Sequence, residues 1–347
     1  MLVSRFPYPL EKGDKLRAFH QLKELSKKFD VTLFALSNAE VPSEHLEKVN
    51  EYCSEIIVHK QDLLQKIWNI LRSAMNGNPF QVGYFYSSKG QKKIKSLLKE
   101  SAYDHIYCQL IRMSEYVKNE HSIPKTLDYM DALSAGIQRR VAKQKIHKRW
   151  LFRSEAKRLK RYESLMFDFF ENRTIISQQD QQLIMHPNSQ EIVCIPNGID
   201  ASFFEKISLN KSHDFVFVGN MSYPPNVEAI AYVAEKILPK FPNKTLLISG
   251  SSPSKRVKKI ASENSQIDLT GWVDDIRHSY ARGRIFLAPM MIGTGMQNKL
   301  LEAMAIGVPC ITTPLANNPI GTKVNSEILV ASTPEEFQKA INTLLND

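Results

Sequence analysis

Residues 285–313, IFLAPMMIGTGMQNKLLEAMAIGVPCITT, decide the fold of this chain. The apolar run 285–288 comes first, and a turn with two glycines, 293–295, follows it. Apolar side chains then recur at helical spacing until the glycine and proline of 307–309 end the pattern. A second apolar run, 310–312, closes the stretch. This order predicts a βαβ unit, in which a helix connects two parallel strands.

The turn before the predicted helix is suited to an anionic ligand. Backbone N–H groups at a glycine-rich helix start are unpaired and carry a partial positive charge. Lys299 and Glu302 stand three residues apart in the first helical turns, where a cation and a carboxylate can serve a diphosphate and a ribose together. The alternative is a turn that binds no ligand, with Lys299 and Glu302 as an ordinary surface pair.

Length and composition predict a two-domain globular protein of the cytoplasm. The chain has 347 residues, of which 43% are hydrophobic, enough for two domains with cores of their own. No apolar run reaches the roughly 18 residues of a transmembrane helix, and the N-terminal apolar stretch is too short for a signal peptide. Cys53, Cys108, Cys194 and Cys310 are isolated in the sequence. They are expected as reduced thiols, and no Cys or His spacing predicts a metal site.

The net charge of +10 is concentrated in one segment. Residues 137–161 hold eleven Lys and Arg against one acid, Glu155, in a mostly helical pattern. Such a helix suits an anionic membrane surface or a lipid-linked substrate. A solvated face and a nucleic-acid arm are the alternatives, and we expect no nucleic acid because the rest of the chain is nearly neutral. The candidate membrane or acceptor residues are Arg139, Arg140, Lys148, Arg149, Trp150 and Arg153.

Strand and helix patterns alternate along both halves of the chain. Alternation of this length predicts doubly wound parallel sheets. We expect two Rossmann-like domains, an N-terminal one at residues 1–196 and a C-terminal one at 214–347, with a linker at 197–213. Ligands of open α/β sheets bind at the carboxyl ends of the strands. A ligand is therefore expected in a cleft that both domains face.

Several polar positions of the N-terminal half follow predicted strands. Gly13 leads into a helix and places backbone amides at a strand end. Asp128 and Asp131 follow a later strand, where one of them could orient a substrate hydroxyl or accept its proton. Asp128 also suits a loop cap. Arg112 stands after another strand, where a solvated helix residue is the simpler interpretation.

Four motifs in order resemble one enzyme family. They are IPNGID at 195–200, FVFVGNMSYPPNVEAI at 215–230, LTGWVDDI at 269–276 and KLLEAMAIGVPCITT at 299–313. Together they resemble the retaining GT-B glycosyltransferases of family 4, also called glycosyl transferases group 1. The pattern is most similar to sugar transferases of bacterial exopolysaccharide clusters, whose N-terminal segment resembles SRFPYPLEKGDKLR at 4–17.

This resemblance implies a fold and a reaction. The fold is GT-B, in which two Rossmann-like domains face a cleft. The reaction moves a sugar from a nucleotide-diphospho-sugar to a hydroxyl of a polysaccharide or lipid-linked saccharide, with retention and without a metal or other cofactor. Such an enzyme is expected in the cytoplasm, peripherally on the inner face of the membrane. A non-catalytic GT-B partner protein and a nucleotide-sugar epimerase are the alternatives.

The resemblance also suggests roles for single residues. Glu302 corresponds to the family glutamate that holds the donor ribose, and Lys299 to a cation near the diphosphate. Asp131 falls near the acceptor-side His or Asp of the family, so the expected catalytic set is Asp131, Lys299 and Glu302. The expected donor-binding residues are Gly13, Asn220, Gly271, Trp272, Val273, Gly293, Thr294, Gly295, Met296, Lys299, Leu300 and Glu302.

The chain departs from the family pattern in two places. Thr294 stands where many relatives have a first glutamate, which meets the hydroxyls of the donor sugar. The Arg and Lys that usually follow the first strand of the C-terminal domain are also absent. Their places are taken by Asn220, Met221 and Tyr223. The charge of the diphosphate then has to be met by Lys299, by helix amides or by another cation. The other candidates are Arg5 and Lys12.

Overall fold

The computed structural model describes residues 1–142, 144–208, 210–292 and 296–346. The chain folds into two compact units, Met1–Pro196 and Asn197–Asp347. Each unit contains a parallel β-sheet with connecting helices. The α/β class predicted from the alternating patterns is therefore confirmed.

The first unit alternates strands and helices. Its strands are β1 (Leu2–Val3), β2 (Thr32–Ser37), β3 (Glu55–Lys60), β4 (Ile106–Gln109), β5 (Lys125–Asp128), β6 (Asn172–Ile175) and β7 (Val193–Cys194). Its helices are α1 (Gly13–Leu25), α2 (Ser43–Asn50), α3 (Leu63–Asn76), α4 (Phe80–Phe85), α5 (Ser88–Glu100), α6 (Leu133–Val141), α7 (Ile146–Phe167) and α8 (Gln178–Gln181). Short 3₁₀ turns lie at Ser114–Tyr116 and Ser189–Glu191.

The sheet of the first unit has a doubly wound topology. Within the described residues it has seven strands, in the order β3-β2-β1-β4-β5-β6-β7. Leu2 of β1 pairs with Phe34 on one side and with Cys108 on the other, both in parallel. Leu2 and Val3 enter different hydrophobic cores, because successive strand residues point to opposite faces. The strand order changes direction between β1 and β4, which is where such sheets form a ligand crevice.

A buried ion pair joins α1 to β5. The carboxylate of Asp128, at the end of β5, accepts a hydrogen bond from Arg17 Nε at 2.7 Å. Gln21 Nε2 and Tyr107 Oη also donate to it, at 2.8 and 3.1 Å. Met130 N donates to its other oxygen at 3.1 Å, as expected of a loop cap. Asp128 is fully buried, so its carboxylate serves the fold.

One helix lies in a stretch with the composition of a loop. Residues 76–87, NGNPFQVGYFYS, contain Gly, Pro and Asn, yet they include α4. The carboxylate of Glu155 accepts hydrogen bonds from Phe80 N at 2.7 Å and from Gln81 N at 3.0 Å. It satisfies two of the N–H groups that a helix start leaves unpaired. Because the capping residue is 75 residues away in the sequence, the residues around α4 do not by themselves predict a helix.

The second unit repeats the alternation with a smaller sheet. Its strands are β8 (His213–Val218), β9 (Leu246–Ser249), β10 (Ile267–Gly271), β11 (Gly283–Ala288), β12 (Cys310–Thr312) and β13 (Leu329–Val330). Its helices are α9 (Pro224–Tyr232), α10 (Lys255–Ser262), α11 (Ile276–Arg282), α12 (Asn298–Ala305), α13 (Pro314–Asn317) and α14 (Pro334–Asn346). A π-helical turn at Val233–Ile237 continues α9, and 3₁₀ turns lie at Ala201–Phe204 and Leu238–Lys240.

The second sheet places β8 and β11 side by side at its centre. Its order within the described residues is β10-β9-β8-β11-β12-β13, and every pair is parallel. Phe215, Val216 and Phe217 of β8 are fully buried in its core. The strand order changes direction between β8 and β11, which marks the carboxyl ends of these strands as the ligand crevice of this unit.

The stretch predicted as part of a linker, 197–212, packs on the second unit. Phe203 contacts the hydrophobic core of this unit. Asn197 Nδ2 donates a hydrogen bond of 2.9 Å to Asn298 Oδ1, at the first residue of α12. Strand β8 then begins at His213.

Glu163 is a buried acid of the first unit. It belongs to α7, and its carboxylate accepts hydrogen bonds from Ser134 N at 2.9 Å and Ser134 Oγ at 2.5 Å. These bonds cap the first turn of α6. Burial raises the pKa of Glu163 from 4.5 to about 8, while the bonds from Ser134 lower it and the charges of Asp131 and Asp180 raise it further.

This pKa makes the stability of the protein dependent on pH. Between pH 4.5 and about 8 the unfolded chain loses the Glu163 proton while the folded protein retains it. The free energy of unfolding should therefore fall as pH rises through this window, by up to about 1.4 kcal/mol per pH unit. Glu163→Gln keeps the bonding pattern without a titrating group, so it should flatten this part of the stability profile. Thermal unfolding across the window measures it.

Exposed Glu51 provides the control, since Glu51→Gln should leave the slope of the wild type unchanged. A Glu163→Gln protein with the wild-type slope would contradict this account of the buried carboxyl.

Candidate donor-binding site

Three neighbouring strands of the second unit end in glycine at the same edge of the sheet. Gly219 follows β8, Gly250 follows β9 and Gly271 ends β10. Gly219 N donates to Ser249 O at 3.1 Å, and Gly250 N donates to Gly271 O at 2.7 Å. A Cβ atom on Gly250 would lie 1.8 Å from Gly219 O. The backbones of these strand ends are therefore closely packed, and the three glycines add no side chains of their own.

Lys299 brings a half-buried amino group to this edge. It is the second residue of α12, and its Nζ donates a hydrogen bond to Asn226 Oδ1. The Nζ atom also lies 4.7 Å from the centre of the Phe217 ring. A Cβ on Gly219 would approach it to 3.2 Å. Burial lowers the pKa of Lys299 to about 7, and the charge of Glu302 raises it in part.

Asn226 holds the amino group in place. It lies in the first turn of α9 and is buried. Its Nδ2 donates to Asn220 O at 2.9 Å, which leaves Oδ1 to accept from Lys299. The side chain of Asn220, which the sequence predicts as a donor contact, instead shapes its own loop: Oδ1 accepts from Ser222 N at 2.9 Å, and Nδ2 donates to Ser251 Oγ at 3.3 Å.

Glu302 lies one turn after Lys299 and is held by a tyrosine. Tyr280 of α11 is fully buried, and its hydroxyl donates to Glu302 Oε2 at 2.6 Å. Burial raises the pKa of Glu302, while this hydrogen bond and the charge of Lys299 lower it. Among the described residues, the second oxygen, Oε1, has no hydrogen-bond partner. It is therefore available to a ligand hydroxyl.

The remaining predicted donor residues fall into several environments. Gly271 has a φ of +73°, and Trp272 after it is 65% exposed. Val273 and Met296 are half-buried. The side chain of Leu300 is fully buried in the core, and its N–H donates to Gln297 O at 2.9 Å. The three predicted residues of the glycine turn, Gly293, Thr294 and Gly295, lie outside the described residues.

The predicted residues of the first unit lie at the carboxyl edge of its own sheet. Gly13 is the exposed first residue of α1, and a Cβ on it would meet nothing within 4 Å. Asp131 is half-buried shortly after β5. Arg5 forms an ion pair with Asp14.

The environment of Arg112 differs from the predicted one, which was that of a solvated helix residue. Its Nη2 donates to Gln81 Oε1 at 2.6 Å, and its guanidinium lies 5.1 Å from the centre of the Phe85 ring. Burial lowers the pKa of Arg112.

The basic segment, 137–161, forms the second half of α6 and most of α7. Its single acid, Glu155, is buried and caps α4. Arg149 donates to Gln144 O and Ala142 O and thus caps the end of α6. Arg139 and Arg140 are half-buried in the last turn of α6, whereas Lys148, Trp150 and Arg153 are exposed. No helix in the described part of the chain has the length and apolar character to cross a membrane.

Sequence reasoning missed four residues that shape the donor site: Gly219, Gly250, Asn226 and Tyr280. The two glycines left a signal, because each directly follows an apolar strand pattern, as Gly271 does. Asn226 is a polar residue within an otherwise apolar helix start, which is a weaker signal. Tyr280 left none, because its role depends on a contact with Glu302 in another helix.

The described residues contain no group of three or more His, Cys, Asp or Glu side chains arranged to hold a metal ion. The carboxylate of Asp275 caps α11 and pairs with Arg277 at 2.8 Å. Lys299 and Glu302 are thus charged groups of this edge that are not engaged in such a cap.

Comparison with protein families identifies the second unit. Residues 212–347 match the family described as glycosyl transferases group 1. The match includes three of the four motifs, those that begin at residues 215, 269 and 299, and it agrees with the resemblance to glycosyl transferases group 1.

Two curated relatives match the sequence over different lengths. An uncharacterized 44.6 kDa protein in the cps region of Klebsiella pneumoniae is 25% identical over 96% of this chain and 87% of its own length. The UDP-Gal:alpha-D-GlcNAc-diphosphoundecaprenol alpha-1,3-galactosyltransferase of Escherichia coli is 29% identical over 39% of this chain and 39% of its own length.

A solved structure matches the whole chain. The crystal structure of Alr3699/HepE from Anabaena in complex with UDP and glucose superposes with a TM-score of 0.66 at 13% sequence identity. The match covers 100% of this chain and 89% of the Anabaena chain. This similarity establishes the GT-B fold.

The contact between the glycine-ended strands yields a prediction about stability. Gly250 and Gly271 both have positive φ, of +140° and +73°, so a side chain strains the backbone at either position. Only Gly250 also faces backbone atoms at close range, since a Cβ on Gly271 meets nothing within 4 Å. Gly250→Ala should lower the free energy of unfolding by about 3 kcal/mol or more, and Gly271→Ala by about 1 kcal/mol. Chemical denaturation of both variants measures the difference. Equal losses of unfolding free energy would show that the contact between residue 250 and Gly219 is relieved at little cost.

Proposed function

We propose that this chain transfers a sugar from a nucleotide-diphospho-sugar to a hydroxyl of a polysaccharide or lipid-linked saccharide. The match of residues 212–347 to glycosyl transferases group 1 supports glycosyl transfer. We infer the location of the donor site from the amino group of Lys299, which lies at the carboxyl ends of the central strands. A cation at this point meets the charge of a bound diphosphate where the sheet itself offers backbone amides.

The donor is proposed to bind along the glycine-ended edge. The Lys299 amino group would contact the diphosphate, and Glu302 Oε1 would accept a hydrogen bond from the ribose. Tyr280 supports this role because it occupies Oε2 and fixes the plane of the carboxylate. Since the Anabaena structure holds UDP and glucose, a UDP-sugar is the first donor to test.

The proposed reaction proceeds with retention and without a metal. The bond between the sugar anomeric carbon and the diphosphate oxygen breaks, and the acceptor oxygen bonds to that carbon on the same face. The acceptor proton passes to the departing phosphate, and the nucleoside diphosphate leaves. Lys299 and backbone amides would stabilise the charge that develops on the leaving group, as preorganised electrostatic partners do. In the first unit, Asp131 would position the acceptor hydroxyl.

The acceptor is proposed to be lipid-linked and to be met at an anionic membrane. The Escherichia coli relative acts on a saccharide carried by diphosphoundecaprenol. In this chain, the exposed Lys148 and Arg153 of the basic segment are suited to anionic headgroups. The protein would then work peripherally on the cytoplasmic face of the membrane.

Loss of either charged donor residue should reduce turnover. Removing one electrostatic partner of a transition state costs on the order of 3 kcal/mol, so Lys299→Ala and Glu302→Ala should each lower kcat about a hundredfold. The measurement is release of nucleotide from a panel of nucleotide-sugars, with and without saccharide acceptors. Exposed Lys258 supplies the control Lys258→Ala, which should keep wild-type turnover. Near-normal turnover of either site variant on a substrate that the wild type uses would contradict the proposed site.

The same panel separates the other two possibilities. A wild-type protein that binds a nucleotide-sugar and never releases nucleotide would be the non-catalytic partner. A product with inverted sugar stereochemistry and an intact diphosphate bond would identify an epimerase.

Donor binding should also be linked to a proton. The pKa of Lys299 in the free protein is about 7, and a bound diphosphate would raise it by favouring the charged form. Above pH 7 the amino group is mostly neutral when free and protonated when bound, so binding takes up a proton. The affinity for UDP should therefore fall as pH rises above 7, by up to about tenfold per pH unit. Calorimetry in buffers with different ionisation enthalpies measures the uptake directly.

Lys299→Gln is the control for this linkage, because it retains a polar side chain that does not titrate. It should bind UDP more weakly and with a flat pH profile. Proton uptake that persists in Lys299→Gln would assign the titrating group to another residue.

A further inference from the structure

Helix α3 is oriented with its polar side chains inward and its apolar side chains outward. Lys66, Asn69 and Ser73 are buried. The outward residues are between 51% and 85% exposed. They are Leu63, Leu64, Ile67, Trp68, Leu71 and Met75. A surface helix of a globular protein normally buries its apolar stripe, so this face is unusual and points to a partner outside the chain.

Specific hydrogen bonds fix this orientation. Lys66 Nζ donates to Asn38 Oδ1, and it lies 4.6 Å from the centre of the Tyr84 ring. Asn69 Nδ2 donates to Tyr86 O at 2.8 Å. Turning the apolar stripe inward would break these bonds and leave buried polar groups unpaired, at about 1–3 kcal/mol each. These hydrogen bonds therefore keep the apolar face of α3 exposed.

The apolar face continues toward the basic segment. Arg158 of α7 donates to Ser73 O at 2.8 Å and to Ala74 O at 3.0 Å, which joins α7 to the end of α3. Trp150 lies about two helical turns before Arg158 in α7 and is 67% exposed. The apolar surface of α3 and the start of α7 are therefore neighbouring parts of one region.

Most charges around this surface are positive, although the exposed Asp62 caps the start of α3. Helix α3 contains no acidic residue in its sequence LLQKIWNILRSAMN, and its exposed charge is Arg72. The acid of the basic segment, Glu155, is turned inward. The exposed basic residues of this part of the chain are Lys145, Lys148, Arg153, Lys157, Lys160 and Arg161.

We propose that α3 inserts its apolar face into the interface of a bilayer that contains anionic lipid, while the exposed basic residues of α7 bind the headgroups. This inference deepens the proposed membrane attachment and rests on it. It assigns the main membrane contact to α3, whereas the sequence pattern placed it on the basic segment alone. Trp68 and Trp150 suit the boundary between headgroups and acyl chains, where tryptophan is enriched.

A bilayer fits this surface better than a second copy of the chain. A symmetric dimer presents the same patch from both subunits, so the basic residues beside α3 would face their own copies and repel. An anionic surface instead complements the apolar stripe and the positive charge at once.

The first test compares two double variants in vesicle sedimentation. Trp68→Gln with Leu71→Gln removes apolar side chains that are 67% and 55% exposed, and Phe29→Gln with Met185→Gln removes side chains that are 62% and 58% exposed elsewhere on the same unit. With vesicles of phosphatidylcholine and phosphatidylglycerol, the α3 pair should lower the partition coefficient about a hundredfold. The control pair should leave it unchanged, and both should unfold at the wild-type temperature. An α3 pair that partitions like the wild type would overturn the proposal.

A charge variant separates headgroup binding from insertion. Lys148→Gln with Arg153→Gln and Lys157→Gln should lower partitioning about a hundredfold at about 0.1 M salt. At about 1 M salt, where charges are screened, it should partition like the wild type. An α3 effect that also disappears at high salt would argue against insertion.

The second test measures depth. The chain has three tryptophans, so Trp150→Phe with Trp272→Phe leaves Trp68 as the single fluorophore. Lipids brominated near the headgroup end of the acyl chain should quench Trp68 when vesicles bind. Vesicle binding without quenching would overturn insertion. The proposal would also be overturned if the protein formed a dimer in the absence of lipid and the α3 double variant were a monomer.

These results are independent of catalysis. Trp68 and Leu71 lie outside the donor site, so the α3 pair should release nucleotide from a donor sugar at the wild-type rate when no vesicles are present. Failure of the transferase proposal would appear as a wild-type protein without turnover, whatever the vesicles show. Failure of the α3 proposal would appear in the vesicles alone.

Discussion

The amino group of Lys299 is held by an amide oxygen and an aromatic ring, and the donor site depends on that choice of neighbours. A buried cation with an acidic hydrogen-bond partner keeps its proton and has little charge to offer to a ligand. Lys299 instead bonds to the neutral side chain of Asn226 and lies over the Phe217 ring, while burial lowers its pKa to about 7. Gly219 makes the arrangement possible, because any side chain there would crowd the Nζ atom.

The two units use buried charge in opposite ways. In the first unit, Arg17 and Asp128 satisfy each other and bind α1 to β5. Removing one partner of such a pair leaves an unpaired buried charge, so both residues are needed for the stability of the fold. In the second unit, the Lys299 amino group bonds to a neutral amide, and one oxygen of Glu302 is taken up by Tyr280. The first arrangement fixes a structure, and the second retains binding capacity for a ligand.

The parts of the fold that could be predicted are those with a local signal. The βαβ stretch at 285–313 gave β11, α12 and β12 to within a few residues, because apolar periodicity and the glycine and proline stops lie within it. Glu302 and Lys299 could be singled out because they share a helical face and match a family motif, and their donor-binding role stays a prediction. Helix α4 was missed because Glu155, which caps it, is distant in sequence.

The orientation of α3 could not be predicted for a different reason. Its sequence shows an amphipathic helix, and the default expectation is that the apolar stripe faces the core. The opposite orientation depends on Asn38, Tyr84 and Tyr86, which accept or cover the polar side chains. Tyr280 was missed in the same way, since its value to the site lies in one contact with Glu302. Periodicity reports that a helix has two faces, and only tertiary contacts decide which one is buried.

The anchoring of α3 and α4 by α7 has a consequence for synthesis on the ribosome. Arg158 contacts Ser73 O from 85 residues later in the chain, and Glu155 contacts Phe80 N from 75 residues later. At about 5–20 residues per second, the apolar stripe of α3 emerges several seconds before the helix that secures it. During that interval the nascent chain presents a hydrophobic segment without its long-range caps. The end of α3 and the start of α4 are therefore expected to become ordered only after α7 has been synthesised.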